Sequence, residues 1–331
     1  MKHKEDFDYN YGPMRHNKMS WENLLFLNEL APVELDTQSY DFLRDYSSVH
    51  NLYTASTSQP NPFSNKVMFI IDKLTRMGVK YTLDIFEFDG SKVVWGHGSY
   101  SSHKLVNIIA EPNPEATGSA TVFCAHHDVA NVHSENCQDN GASVCNLLKL
   151  ASLVKKSGTA SSRTIILFSD CEEFGARGAK RFASMSSKAR GVNTITHETY
   201  GEISGVVNLE LTGNGTVVWS DCEAKSSEIE LHEKLETVLG ETIPKLKTPP
   251  SDAIPFRRYG YPVLCIGILP EDDMNDKNTW RICHSIKDTI EGCNKKNMED
   301  FTEFLFNLTK ITTTEHGNTN GANKTGGALQ P

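Results

Sequence analysis

Short apolar runs that each break off into a polar or charged segment constrain this chain's fold more than any other feature. KLVNIIAEP, ATVFCAHHDV, RTIILFSD, VVNLELTG and PVLCIGI are rich in β-branched residues and apolar at successive positions. A strand that is apolar on both faces needs a packed layer on each side, as in a parallel or mixed sheet. Segments with helical spacing stand between these runs. In residues 141–155, Val144, Leu147, Leu148, Ala151 and Val154 share one face. In residues 65–78, Val67, Ile70, Ile71 and Leu74 do the same, with Ser64 as a candidate cap and Gly78 as the stop. EEFGARGAKRFASM predicts another helix, as do 226–239 and 297–314. TVVWSD adds a strand, and Asp89-Gly90 between YTLDIFEF and KVVWGHG predicts a hairpin. The expected fold class is α/β: three layers, α/β/α, with a mixed, mainly parallel twisted sheet and helices on both faces.

Composition bounds what such a fold can serve. At 331 residues, with 38% hydrophobic and 23% charged residues, the chain reads as an ordinary globule. A net charge of −9 argues against nucleic acid or an anionic membrane as partner. No apolar run reaches the roughly 18–20 residues of a membrane span, and the first twenty residues lack an apolar signal core, so a cytoplasmic setting is expected. Eight cysteines, at 124, 137, 145, 171, 222, 265, 283 and 293, include no CxxC pair and read as reduced thiols. Residues 1–60 are expected to be an extension packing on a catalytic domain over 61–314, and the Gly/Asn/Thr-rich 315–331 a disordered tail.

Function in α/β sheets gathers where strands end. One run ends in His126-His127-Asp128, and strand alternation turns His126 and Asp128 the same way. A carboxylate beside an imidazole fixes its tautomer for a metal. Asp139 directly precedes a helix, either as its cap or as a metal-bridging carboxylate. Glu172 and Glu173 follow another strand. Beside a dication two adjacent carboxylates can divide the work, one ligating and one taking a proton. Glu210 interrupts an apolar strand, where an unpaired carboxylate is costly and a cation partner is favoured. His284 follows the VLCIGI run and an acidic loop. Two histidines and three carboxylates suit Zn²⁺, Co²⁺ or Mn²⁺, and three negative charges balance two dications better than one.

These motifs together resemble the dizinc aminopeptidase and glutamate carboxypeptidase family, which also contains the glutaminyl cyclases. The resemblance covers roughly residues 104–312. Its most specific element is Asp170-Cys171-Glu172-Glu173-Phe174-Gly175-Ala176-Arg177-Gly178, similar to the family's Asp-x-Glu-Glu-x-Gly-x-x-Gly. His126-x-Asp128, Asp139-Asn140-Gly141-Ala142-Ser143, Asn208-Leu209-Glu210, Ser251-Asp252-x-x-Pro255-Phe256 and His284 follow in the family's order.

The resemblance implies a zinc aminopeptidase-like fold of the phosphorylase/hydrolase type. It implies two Zn²⁺ ions, one on His126, Asp139 and Glu210 and the other on Asp139, Glu173 and His284, with a cis bond between Asp139 and Asn140. Asp128 would orient the first site, and Glu172 would be general base to a dizinc-bound hydroxide. The activity implied is cleavage of a peptide or amide bond, first as an aminopeptidase. A carboxypeptidase or deacylase, a glutaminyl-cyclase-like acyltransferase and a non-catalytic relative are the alternatives. Glu210 stands where the aminopeptidases usually have Asp, and Cys283 where a Tyr often stabilises the oxyanion. Asp252 is shared with the glutaminyl cyclases. For the peptide or acyl-amino-acid substrate, Glu173 or Glu210 would receive an amine, and Arg257 or Arg258 a carboxylate.

Overall fold

The computed structural model describes residues 37–49, 65–88, 94–95, 98–99, 103–130, 134–186, 200–221, 226–273 and 278–310. The Asp89-Gly90 turn, the Ser64 cap, most of the expected extension and the whole expected tail lie outside these residues.

Seven strands form one sheet. β1 (Lys80–Phe88) and β4 (His103–Glu111) precede β5 (Ala120–His126), β6 (Thr164–Ser169), β7 (Ile203–Leu209), β8 (Val217–Ser220) and β9 (Val263–Leu269). The order is β1-β4-β6-β5-β7-β9-β8. The four central strands, β6, β5, β7 and β9, are parallel; at the two sides β4 and β8 run opposite to them, and β1 pairs antiparallel with β4. Two short strands, β2 (Val94–Trp95) and β3 (Gly98–Ser99), pair only with each other. β1 pairs along its whole length with β4, which buries Leu105, Val106, Ile108 and Ile109 and matches it over nine residues.

Alternation along the central strands feeds two cores. Phe123, Ala125, Phe168, Val207, Leu209 and Ile266 point to one face. There they meet α2 (Asn65–Arg76), α3 (Ala142–Ser157), α5 (Ser226–Leu239) and α8 (Lys295–Leu308). Val122, Cys124, Ile165, Leu167 and Cys265 point to the other face, against α4 (Arg177–Ser186) and α6 (Ala253–Arg258). α1 (Ser39–Ser47) buries Phe42, Leu43 and Tyr46 against α3 and α8, and α7 (Asn278–Ile282) lies just before His284. Among the described residues no helix is long and apolar enough to cross a membrane.

Strand register then sets where polar ends collect. His126 lies opposite Ser169 on β6, Cys124 opposite Asn208 on β7, and Leu209 opposite Ile266 on β9. The parallel strands thus stop together, and the residues that follow them share one edge, the place where α/β sheets present their sites.

Leu148 is fully buried in α3, between the sheet and the helices around it. Leu148→Ala is expected to cost about 2–5 kcal/mol from lost burial and a residual cavity, read as a lower urea midpoint with an unchanged slope.

Candidate functional site

Five segments bring their polar residues to this edge. β5 ends in His126, and the chain continues to Asp128, whose carboxylate does two things. Its Oδ1 lies 3.3 Å from His126 Nδ1. Its two oxygens also accept the backbone N–H groups of Glu172 (2.9 Å) and Glu173 (3.2 Å). Asp128 therefore fixes the imidazole and the acidic loop together.

The acidic loop is held from behind as well. Asp170 accepts from the Val106 N–H at 2.8 Å, and Asn107 bridges Asp170 N–H and the Gly178 carbonyl. Gly178 packs so closely on Asn107 and the Asp170 backbone that a Cβ would collide with both. The last glycine of the acidic motif is thus fixed by close approach. Cys171, immediately before Glu172, has a positive φ of 62°. Leu211, immediately after Glu210, has φ 56°, and His284 itself φ 61°. Non-glycine residues in this left-handed region cost roughly 1–2 kcal/mol each, and such strain clusters at functional sites.

Asp139 lies in the turn Cys137–Gly141 ahead of α3, with a cis bond to Asn140. Gly141, not Asp139, precedes the helix, and no side chain caps it. That frees the Asp139 carboxylate to face the edge of the sheet. Its Oδ1 is 3.2 Å from His126 Nε2 and its Oδ2 is 3.2 Å from His284 Nε2. His126 Nε2 also lies 3.6 Å from Glu210 Oε2, and His284 Nε2 lies 2.8 Å from Glu173 Oε2. Two groups result, His126–Asp139–Glu210 and Asp139–Glu173–His284, each with donor atoms within 4.8 Å of one another. Glu210 is steadied by Asn140 (2.8 Å) and Asn208 (3.2 Å). Glu173 Oε1 is buried and has no hydrogen-bond partner among the described residues. A buried carboxylate oxygen left without a partner beside the His284 contact is what a cation would satisfy, so the donors fit a pair of divalent metals.

The electrostatics agree. Burial pulls the His126 imidazole down, but Glu210, Asp128 and Asp139 outweigh it and hold it well above its ordinary value. Hydrogen bonds donated to Asp139 and Glu173 lift His284 to about 10. Burial would raise Asp139, yet the two imidazoles draw it below the usual carboxylate range. Burial lifts Glu172 well above that range; His126 opposes this, and Glu210, Asp252 and Glu173 reinforce it. Burial likewise raises Glu173 and Glu210, with the imidazoles opposing. The cup is thus a concentration of negative charge that calls for positive charge from outside.

One supporting carboxylate carried no sequence signal. Asp288 accepts the backbone N–H groups of Gln138 (2.6 Å) and Asp139 (3.0 Å), anchoring the turn under Asp139. It lies in a loop without periodicity, and its partners are distant in sequence. Asp252, expected at the substrate, is fully buried and accepts from Ser169 Oγ; its Oδ1 has no partner among the described residues. The other substrate candidates are arranged differently. Arg257 is paired within the chain, 2.7 Å from Asp221 and 2.9 Å from Glu228. Arg258 is exposed, within electrostatic reach of Lys180. Cys283 is half-buried near the cup and donates to the Thr279 carbonyl at 3.4 Å.

Burial lifts Asp252 to about 7, against roughly 4 for an unfolded Asp. Between these values the folded chain holds more protons than the unfolded one, so stability falls as pH rises through that window. Asp252→Asn removes this loss. Urea unfolding of the metal-free protein is expected to show little change near pH 4 and stabilisation on the order of 1 kcal/mol or more near pH 8.

Comparison with known proteins places this geometry. No curated protein sequence matches the chain. Its fold is similar to that of Porphyromonas gingivalis glutaminyl cyclase, at 17% identity and a TM-score of 0.62, over 84% of this chain and 99% of that one. It is similar to the aminopeptidase from Aneurinibacillus sp. strain AM-1, at 12% identity and a TM-score of 0.61, over 82% and 92% of the two chains. BSAP, a zinc aminopeptidase from Bacillus subtilis, aligns at 16% identity and a TM-score of 0.52, over 64% of this chain and 50% of that one. At such identities the likeness is one of fold. The sequence signature of Peptidase family M28, however, matches residues 107–309, more than half of the chain and every segment that contributes to the cup. The chain belongs to Peptidase family M28.

Proposed function

We propose that this chain is a dinuclear metal-dependent hydrolase that cleaves a peptide or amide bond, and within that class an exopeptidase of the aminopeptidase type. Family membership supports the coarser statement, a metal-dependent hydrolase or a glutaminyl-cyclase-like enzyme. The observation that supports a dinuclear centre is Asp139, whose two oxygens each face a different histidine at 3.2 Å. A carboxylate shared in this way serves two ions rather than one.

The donor set suits Zn²⁺ first, with Co²⁺ or Mn²⁺ as substitutes. His126, Asp139 and Glu210 would hold one ion, and Asp139, Glu173 and His284 the other. When bound, such a pair would polarise the substrate carbonyl and supply a nucleophile from water near neutral pH. The chain's own groups do the rest. Glu172 takes the proton from the attacking water and delivers it to the departing nitrogen. Asp128 keeps Glu172, Glu173 and His126 in register through its three contacts. Asp288 keeps Asp139 in place through two backbone N–H groups.

Charge supports the choice of substrate terminus. A cup lined by Asp139, Glu172, Glu173 and Glu210 attracts a free ammonium group. Arg257, a candidate anchor for a substrate carboxylate, already has two carboxylate partners. Both points favour an aminopeptidase over a carboxypeptidase. The buried Asp252, close enough to Glu172 to raise its proton affinity, favours glutaminyl cyclisation as the second reading.

Glu172→Gln is expected to keep the metal content and lower turnover by about 100- to 10,000-fold, measured in parallel on aminoacyl, acyl-amino-acid and N-terminal-Gln substrates. Unchanged turnover with metal retained would remove Glu172 from the mechanism. Chelation is expected to abolish activity and Zn²⁺ to restore it. Elemental analysis separates the two readings, about two ions per chain for the hydrolase and one for the cyclase.

A further inference from the structure

Cys137 opens the turn that carries Asp139, and Cys293 follows the turn beyond His284 and Asp288. Tertiary structure fastens these segments side by side. Glu135 Oε2 accepts from both Cys137 Sγ (3.6 Å) and the Ile290 N–H (2.9 Å). Gln138 Nε2 donates to the Gly292 carbonyl at 2.8 Å, and Ser134 Oγ to the Asp288 carbonyl at 3.2 Å. The residue after Cys137 is thus bonded to the residue before Cys293. The two thiols lie close enough to act on each other, Cys293 being the largest influence on the Cys137 thiol, which it and burial push up. Cys137 is fully buried, whereas Cys293 is half-buried and packs on the same core, so Cys293 is the more accessible residue of the two.

We propose that Cys137 and Cys293 form a reversible disulfide, made by hydrogen peroxide and reopened by a dithiol, that joins the segment bearing Asp139 to the segment bearing His284. The Cys293 sulfur attacks the peroxide O–O bond, becomes a sulfenic acid and releases one water. The Cys137 sulfur then attacks that sulfenic sulfur, the S–S bond forms, and the hydroxyl leaves as the second water. Two thiols lose two hydrogens and two electrons, and one peroxide is reduced to two waters. Reduction runs by thiol–disulfide exchange with an external dithiol. The bond needs no metal, so it stands or falls separately from the proposed hydrolase.

The test uses the full wild-type chain. It is treated with hydrogen peroxide under native conditions, its remaining thiols are alkylated, and its peptides are mapped by mass spectrometry. The expected product is a peptide pair linked through Cys137 and Cys293 and released by dithiothreitol. Because the bond closes a long loop, the oxidised protein is expected to melt about 5 °C or more above the reduced protein, a gain that Cys293→Ser abolishes. Cys137 recovered fully alkylated, or Cys293 recovered as a sulfinic acid or linked to Cys145, would overturn the proposal.

Discussion

The Asp139 carboxylate, shared between His126 and His284, is the contact on which the arrangement of this protein turns. Four other carboxyl groups, Glu172, Glu173, Glu210 and Asp252, crowd around it with little access to water. Such a cluster cannot be fully ionised in a low-dielectric surround without compensation. The chain supplies some: both imidazoles hold their protons tightly, and burial keeps Glu172 and Asp252 reluctant to lose theirs. Cations from outside would supply the rest. The same imbalance that makes the metal-free cup costly is the source of its affinity for divalent ions.

Holding that imbalance in place is the work of the surrounding fold. The parallel strands end in register, so His126, Ser169 and Leu209 bring their following residues to one edge. Asp128 ties the end of β5 to the loop after β6, and Asp288 ties the turn before α3 to the loop after α7. Left-handed backbone at Cys171, Leu211 and His284 shows that local preference yields to the site at three of its segments. The largely buried helix α3 and the two apolar faces of the sheet provide the stability against which that strain is set.

Chemistry beyond the family level rests on which charges are already spent within the chain. Arg257 is committed to Asp221 and Glu228 and so is not free to receive a substrate carboxylate. The Cys137–Cys293 pair sits where the segments of Asp139 and His284 are fastened. A covalent link there would act on the rigidity of the site without touching its donor atoms.

Much of this was legible in the residues alone. Continuous apolar runs required a two-sided sheet, and β5, β6, β7 and β9 lie where those runs predicted. His126, Glu172, Glu173 and Glu210 stood out because local rules disfavour them: polar groups at the ends of apolar strands, or within one, need a partner. What the sequence left open is set by contacts between distant segments. Pairing of β1 with β4, over nine residues, joins segments that no local turn connects. Asp288 beneath Asp139, Ser169 on Asp252, the commitment of Arg257 and the meeting of Cys137 with Cys293 involve no local pattern. Periodicity and spacing report which way a residue faces on its own element. Only the packing of elements against one another decides what it meets there.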